Sequence, residues 1–143
     1  MSKIKQAKHV SELKLEAIEL LSNSLHLPAS DITLNSFHFN IEIDNKTDKN
    51  SKRLFTIVSV EILSEDKNHI LGAIALSCIY SISNFDELLK EDLTQIINMP
   101  KKLVEKINTI SLSTTRGVMF SIFKGTFLHN ALLPIINPQT TPA

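Results

Sequence analysis

The side chains able to ligate a metal, transfer a proton or attack a substrate are few and scattered. The five histidines, His9, His26, His38, His69 and His129, fall in separate segments. None has a His or Cys partner at the i, i+4 spacing that puts two ligands on one helical face. Cys78, the single cysteine, lies inside an alternating apolar run, where a thiol ordinarily packs as a small hydrophobe. Asp86, Glu87, Glu91 and Asp92 form a carboxylate cluster, but a solvated helix face near a helix start accounts for them. With three glycines in the chain no phosphate-cradling loop can be built. Nucleophile, base and oxyanion donors do not converge, so the sequence reads as a non-enzyme needing no cofactor and no metal.

Charge and composition remove further classes. Fifteen acidic and fifteen basic residues give a formal net charge of zero over 143 residues, which leaves no electrostatic footprint for nucleic acid or an anionic membrane. One cysteine excludes an internal disulfide framework and fits a reducing compartment. No apolar run is long enough to span a bilayer, and the basic start MSKIKQAKHVSELK lacks the apolar stretch of a signal peptide. The expectation is a cytoplasmic protein without membrane insertion, folded as one domain over residues 1–143.

Periodicity then places the elements. Val10, Leu13, Ala17, Ile18, Leu20, Leu21 and Leu25 recur near the 3.6-residue period and predict an amphipathic helix within an N-terminal unit of residues 1–27. Leu27-Pro28 ends it, and the core occupies residues 32–143. From Ile32 to Asp44 apolar and polar residues alternate, with Phe37, Phe39, Ile41 and Ile43 on one face of a strand. The polar run 45–52 reads as a loop, Phe55 to Leu63 as a second strand, and 64–68 as a turn.

Ile70 to Ile82 is the most regular strand, with Ile70, Ile74, Leu76, Cys78, Tyr80 and Ile82 on one face and Ala73, Ala75, Ser77 and Ser81 on the other, where Ile79 is the only large side chain. Small residues along a sheet face imply close approach of a helix or second sheet there. Ser83 to Glu87 carries helix-start chemistry with Leu88, Leu89, Leu93, Ile96 and Ile97 as the stripe. Pro100 opens a long helix reaching about Phe120. Its interior hydroxyls, Ser111, Ser113, Thr114 and Thr115, are mediocre helix formers, so packing must hold it. The class is α+β: an antiparallel meander, a fourth strand in the C-terminal tail, and the long helix on one side.

The second half is rich in large apolar residues, including Phe120, Ile122, Phe123, Phe127, Leu128, Leu132, Leu133, Ile135 and Ile136. One reading is the fourth strand and its connection. The other is that part of the cluster, with Phe37, Phe39 and Tyr80, lines an exposed groove or a subunit seam.

Three short stretches resemble the SecB family of export chaperones: CIYSIS at Cys78 to Ser83, TTRG at Thr114 to Gly117, and LLPIINP at Leu132 to Pro138. The resemblance runs over most of residues 32 to 138. It implies a four-stranded antiparallel sheet with a long helix, assembled as a dimer of dimers with helices between sheets. It also implies an ATP-independent holdase for unfolded polypeptide, acting in preprotein export or for one partner such as an antitoxin. In that comparison Arg116 and Gly117 mark the end of the long helix. Client-binding residues are expected at Phe37, Phe39, Tyr80, Leu88, Leu89 and Phe123, and oligomer contacts at Ala75, Ser77, Ile107, Ile110 and Thr114. The family's dock on a translocation motor uses an acidic sheet surface, whereas this chain is neutral. The N-terminal segment resembles that of SecB-like chaperones serving toxin–antitoxin systems, and as a helix it would cover the groove until a client arrives. The alternative is an oligomeric adaptor or structural protein using the same fold only to assemble.

Overall fold

Unbroken alternation does make strands here. In the computed structural model the elements are β1 (Leu13–Leu25), β2 (His38–Asp48), β3 (Arg53–Leu63), β4 (Ile70–Ile82), α1 (Phe85–Leu88) and α2 (Lys101–Phe123). The structure describes residues 12–28, 36–88 and 99–136, with the side chain of Leu88 excluded. The strands form one antiparallel sheet in the order β1-β4-β3-β2. The α+β class, the four-stranded antiparallel sheet and the long helix on one side agree with the sequence-based expectation.

The fourth strand, however, comes from the other end of the chain. The segment read as an amphipathic helix is β1, paired with β4 from Leu13↔Ile82 to Leu25↔Gly72. Two register shifts, between Leu15 and Ala17 and between Leu20 and Ser22, each add a residue to β1. They space its apolar side chains at intervals of two and three, an average close enough to a helical period to mislead. Leu, Glu, Lys and Ala also favour helix locally, and pairing along β4 overrides that preference. Residues 13–25 are therefore not helical, and a helical lid built from them is ruled out. Among its described residues the tail supplies no strand: residues 124–136 form turns and an irregular stretch, with Gly125 at φ 83 where a side chain would be strained. Of the expected α1 stripe, Leu89, Leu93, Ile96 and Ile97 lie outside the described residues, as do Ile32 and Leu34.

β2 also runs further than its polarity implies, through Asp48. Asn45 earns its place by accepting a 2.8 Å hydrogen bond from Thr56 Oγ1 on β3, and Asp48 accepts from Asn50 N and Ser51 Oγ, both at 3.0 Å. These bonds use the polar side chains within the hairpin, so only residues 49–52 turn.

The helix packs on the large-residue face of β4, opposite to the small-residue face, because only the former offers apolar area to bury. α2 lies chiefly over β3 and β4. Beneath it Leu54, Leu76, Cys78 and Tyr80 form one cluster with Ile107, and Val58, Val60, Ile62 and Ile74 form another with Leu112, Met119 and Phe123. The mid-helix hydroxyls are explained by the same face. Ser111 and Thr115 are fully buried, Thr115 Oγ1 donates to the Ser111 carbonyl at 2.7 Å, and Ser111 Oγ lies 2.6 Å from Tyr80 Oη.

After α2 the chain folds back so that Leu128, Ala131 and Leu133 enter the second cluster. Gly72 makes room for it: a Cβ there would lie 2.6 Å from Leu128 Cδ1 and 3.0 Å from the Ser24 carbonyl. Arg116 fastens the return, donating from Nε to the Leu133 carbonyl at 2.7 Å and from Nη2 to the Pro134 carbonyl at 2.8 Å. TTRG and LLPIINP are thus joined in space, but Arg116 and Gly117 do not mark the helix end, which lies at Phe123. Gly117 is exposed, and nothing in the protomer explains a glycine there. Charged hydrogen bonds contribute about 1.5–3 kcal/mol each. One of the two bonds is part-buried and the other exposed to water, which weakens it, so Arg116→Ala should lower the unfolding free energy by about 2–4 kcal/mol and open the tail to limited proteolysis before the sheet. Arg116→Lys should recover only part of this, since an ammonium cannot reproduce the fork.

Two surface carboxylates give a small acid dependence. Asp66 is held below its usual range by the Ser64 hydroxyl at 2.6 Å and the Asn68 amide, and Glu16 by the Ser81 hydroxyl at 2.6 Å. Both pKa values are lower folded than unfolded, so their stabilisation is complete above the unfolded value near 4 and disappears as pH falls through the folded one. Chemical denaturation midpoints should be flat from neutrality to about pH 5 and fall below it, with a shallower fall in Asp66→Asn.

Candidate functional site

The two faces of the sheet are chemically distinct, and register assigns each residue to one of them. On the helix side β1 presents Leu13, Leu15, Ile18, Leu20 and Leu25, opposite Ile82, Tyr80, Cys78, Leu76 and Gly72. Their β4 partners are covered by α2, but Leu15, Ile18, Leu20 and Leu25 stay 38%, 46%, 44% and 44% exposed. At the opposite edge of the sheet, on the same side, Phe37, Phe39, Ile41 and Ile43 are half-buried against the cluster formed with Phe123, Leu128 and Leu133. Apolar rows thus flank the helix along both edge strands. Leu27, Phe120, Leu132 and Ile135 add exposed apolar area beyond them.

The outer face is mixed: small and polar residues run along it, with Phe55, Ile57 and Ile79 half-exposed among them. Ala73, Ala75, Ser77 and Ser81 of β4 face the same way as Ser59 and Glu61 of β3 and Asn40 and Glu42 of β2. A shallow concavity of about 300 Å³ crosses this face, bordered by Ser22, Asn40, Glu42, Ser59, Glu61 and Ala75. Although the chain is neutral, this face is not: Glu16, Glu19, Glu42, Asp44, Asp48 and Glu61 outnumber Lys14, Lys46 and Arg53.

The sequence-predicted residues divide accordingly. Phe37 and Phe39 line the β2 edge, and Phe123 is 3% exposed beneath it. Tyr80 is a correction. It is fully buried, its hydroxyl donates to the Ile107 carbonyl at 3.3 Å, and burial pushes its pKa up to about 12. Only its Leu15 neighbour across β1 reaches the surface. Leu88 has no described side chain, and Leu89 lies outside the described residues.

Among the expected oligomer contacts, Ala75 and Ser77 face outward from the sheet, away from the helix. Ile107 is fully buried within the protomer, and Ile110 packs half-buried on the same cluster, so the helix presents Thr109, Ser113 and Gly117 outward instead. Thr114 is half-buried. A helical reading gathers Leu13, Ile18, Leu20 and Leu25 on one stripe but omits Leu15 and places the stripe on a helix instead of a sheet edge. Ile41 and Ile43 were readable from the alternation that exposed Phe37 and Phe39.

Cys78 is fully buried and burial raises its thiol pKa, away from the thiolate a nucleophile needs. Among the described residues no group of three His, Cys, Asp or Glu side chains is placed to hold a metal ion. No described helix is long and apolar enough to cross a membrane.

No protein-family model and no curated protein matches the chain. Among solved structures it is similar to the SecB-like chaperone Rv1957 of Mycobacterium tuberculosis, determined in complex with a ChAD peptide from the HigA1 antitoxin. The superposition has a TM-score of 0.54 at 12% identity and covers 87% of each chain. The fold is SecB-like.

Proposed function

We propose that this protein is an ATP-independent holdase that binds extended, unfolded polypeptide along the helix side of its sheet. The observation that carries this reading is the pair of part-exposed apolar rows flanking α2, Leu15, Ile18, Leu20 and Leu25 on one edge and Phe37, Phe39, Ile41 and Ile43 on the other. A stable monomer rarely leaves this much apolar area bare. Covering it at roughly 25 cal/mol per Å² supplies binding energy without nucleotide or metal.

The fold shared with a chaperone solved with an antitoxin peptide supports a dedicated client of that kind alongside the general one. Export remains the second client route, and the acidic outer face is the surface a basic docking partner such as a translocation motor would meet. A homo-oligomer, arranged as a dimer of dimers, would cover the outward helix face of Thr109, Ser113 and Gly117 and leave several grooves acting together. The reading takes the protein to be cytoplasmic and without enzymatic activity.

The test is suppression of aggregation of a chemically unfolded protein, without nucleotide. Near-stoichiometric suppression is expected, weakened in a Phe39→Ser/Ile41→Ser variant that keeps its circular dichroism spectrum. No suppression across several clients would sink the proposal. If the oligomer then also bound no hydrophobic dye, the adaptor alternative would take its place.

A further inference from the structure

Register orders the outer face of the sheet into rows that cross the strands. Asp48 stands beside Arg53, Ser81 and Lys14, and Lys46 beside Phe55, Ile79 and Ala17. Next come Asp44, Ile57, Ser77 and Glu19, then Glu42, Ser59, Ala75 and Ser22. Half-exposed Phe55, Ile57 and Ile79 thus form an apolar patch, and the charges around it are predominantly acidic. α2 and the tail both pack on the other side of the sheet. In a chain of zero net charge, the balancing cations must lie elsewhere.

Of the segments outside the described residues, 1–11, 29–35, 89–98 and 137–143, only the first is basic. It carries Lys3, Lys5 and Lys8 without Asp or Glu, whereas 29–35 holds Asp31, 89–98 sets Lys90 against Glu91 and Asp92, and 137–143 has no charge. The same segment leads directly into β1. Glu12 is fixed there by two hydrogen bonds, its amide donating to Ser83 Oγ at 3.0 Å and its carbonyl accepting from Ser83 N at 3.1 Å. Residues 1–11 therefore leave the sheet at the end where Lys14, Arg53 and Asp48 share a row. Such a length reaches about 36 Å when extended, and four strands span only about 14 Å, so it can cross the whole face.

We propose that residues 1–11 fold back over the outer face as an intramolecular guard, with Lys3, Lys5 and Lys8 against Glu16, Glu19, Asp44 and Asp48 and Ile4 on the Phe55–Ile57–Ile79 patch. Exposed ion pairs are weak one at a time, but the tether keeps the segment at an effective concentration on the order of millimolar. Any basic partner of this face must displace the guard before it can dock. The guard acts on the face opposite the polypeptide-holding rows and does not depend on them.

An apolar photoreactive residue at Ile4 of the full chain, with crosslinks mapped by mass spectrometry, tests the placement. Crosslinks should fall within the same molecule on Ala17, Phe55, Ile57 or Ile79, and should drop about fivefold at high salt and in Glu19→Lys/Asp44→Lys. A fluorescent deca-lysine peptide tests the guarding. Lys3→Ser/Lys5→Ser/Lys8→Ser should bind it about tenfold more tightly than the unsubstituted chain, because the competitor is gone. Lys102→Ser/Lys106→Ser/Lys124→Ser makes the same change in net charge at exposed positions of and after α2, and should shift binding by less than about twofold. Crosslinks on α2 or on the apolar rows beside it, crosslinks chiefly to a second copy, or an equal gain in both triple variants would overturn the proposal. So would the absence of any crosslink within the protein, the result expected if these lysines serve an anionic partner such as nucleic acid.

Discussion

Deleting residues 1–27 should yield a chain that aggregates, with no cooperative unfolding transition. The segment contains β1, which holds thirteen residues against β4 and supplies that strand's entire second pairing edge. Its loss bares the β4 backbone and uncovers the flank of Leu76, Cys78 and Tyr80, all fully buried in the intact protein. Bonds outside the ladder go too: His26 N to the Leu71 carbonyl at 2.9 Å, Ser81 Oγ to Glu16 at 2.6 Å, and Glu12 N to Ser83 Oγ at 3.0 Å. Domains of this size are stable by roughly 5–15 kcal/mol, and a strand's worth of pairing and burial consumes most of that. A long unprotected edge on β4 would also invite intermolecular pairing. Circular dichroism, thermal melting and size-exclusion chromatography of the truncated chain are the check. Had the segment been a helix laid over a groove, the truncation would have left a folded core with higher client affinity. A folded, monodisperse product would therefore contradict the strand assignment.

Tyr80→Ala should cost about 3–5 kcal/mol, whereas Tyr80→Phe should cost about 1 kcal/mol. The ring sits at the centre of the first cluster with no exposed area, between Leu54 on β3 and Ile107 on α2. Truncation leaves a cavity and removes the hydroxyl that bonds the Ser111 side chain and the Ile107 carbonyl. Phenylalanine fills the space and loses only the hydroxyl contacts. Urea denaturation of both variants measures the pair, with Cys78 as an internal reporter. The thiol is fully buried beside Tyr80 and should react slowly with an alkylating agent in the native protein and in Tyr80→Phe, and faster in Tyr80→Ala. A small effect of Tyr80→Ala would mean that the ring is at a surface after all, as a client-binding role would require.

What was legible in the sequence follows the regularity of each pattern. β4 was readable to its terminal residues because a period of two runs through Ile74, Leu76, Cys78, Tyr80 and Ile82, and α2 because Pro100 marks its start. β1 was not, because its two bulges break the alternation and its residues favour helix one at a time. That error moved the fourth strand to the tail, which actually lies as irregular chain against the sheet under the hold of Arg116. The side of the sheet taken by the helix was misread for a related reason. A row of small residues signals close approach only when something apolar is available to approach it, and the apolar face of β4 won that competition.

For the candidate site, alternation disclosed Phe37 and Phe39 with the right orientation. It could not tell that Tyr80 and Ile107, equally apolar and equally placed on their elements, point into the protomer and toward each other. Burial of that kind depends on which face meets which, and a single sequence carries no record of it. The acidic outer face escaped notice for a similar reason. A net charge of zero averages over both faces, while the fold puts Glu16, Glu19, Glu42, Asp44, Asp48 and Glu61 on one of them.

The central claim is that unfolded polypeptide is held on the helix side of the sheet. It is tested most directly by photo-crosslinking, with a photoreactive residue placed singly at Leu15, Ile18, Phe39 or Ile41 and, for comparison, at Ser59 or Ala73 on the outer face. Bound to a chemically unfolded client, the helix-side positions should crosslink efficiently and Ser59 and Ala73 weakly. Crosslinking confined to the outer face, or equal at every position, would contradict it.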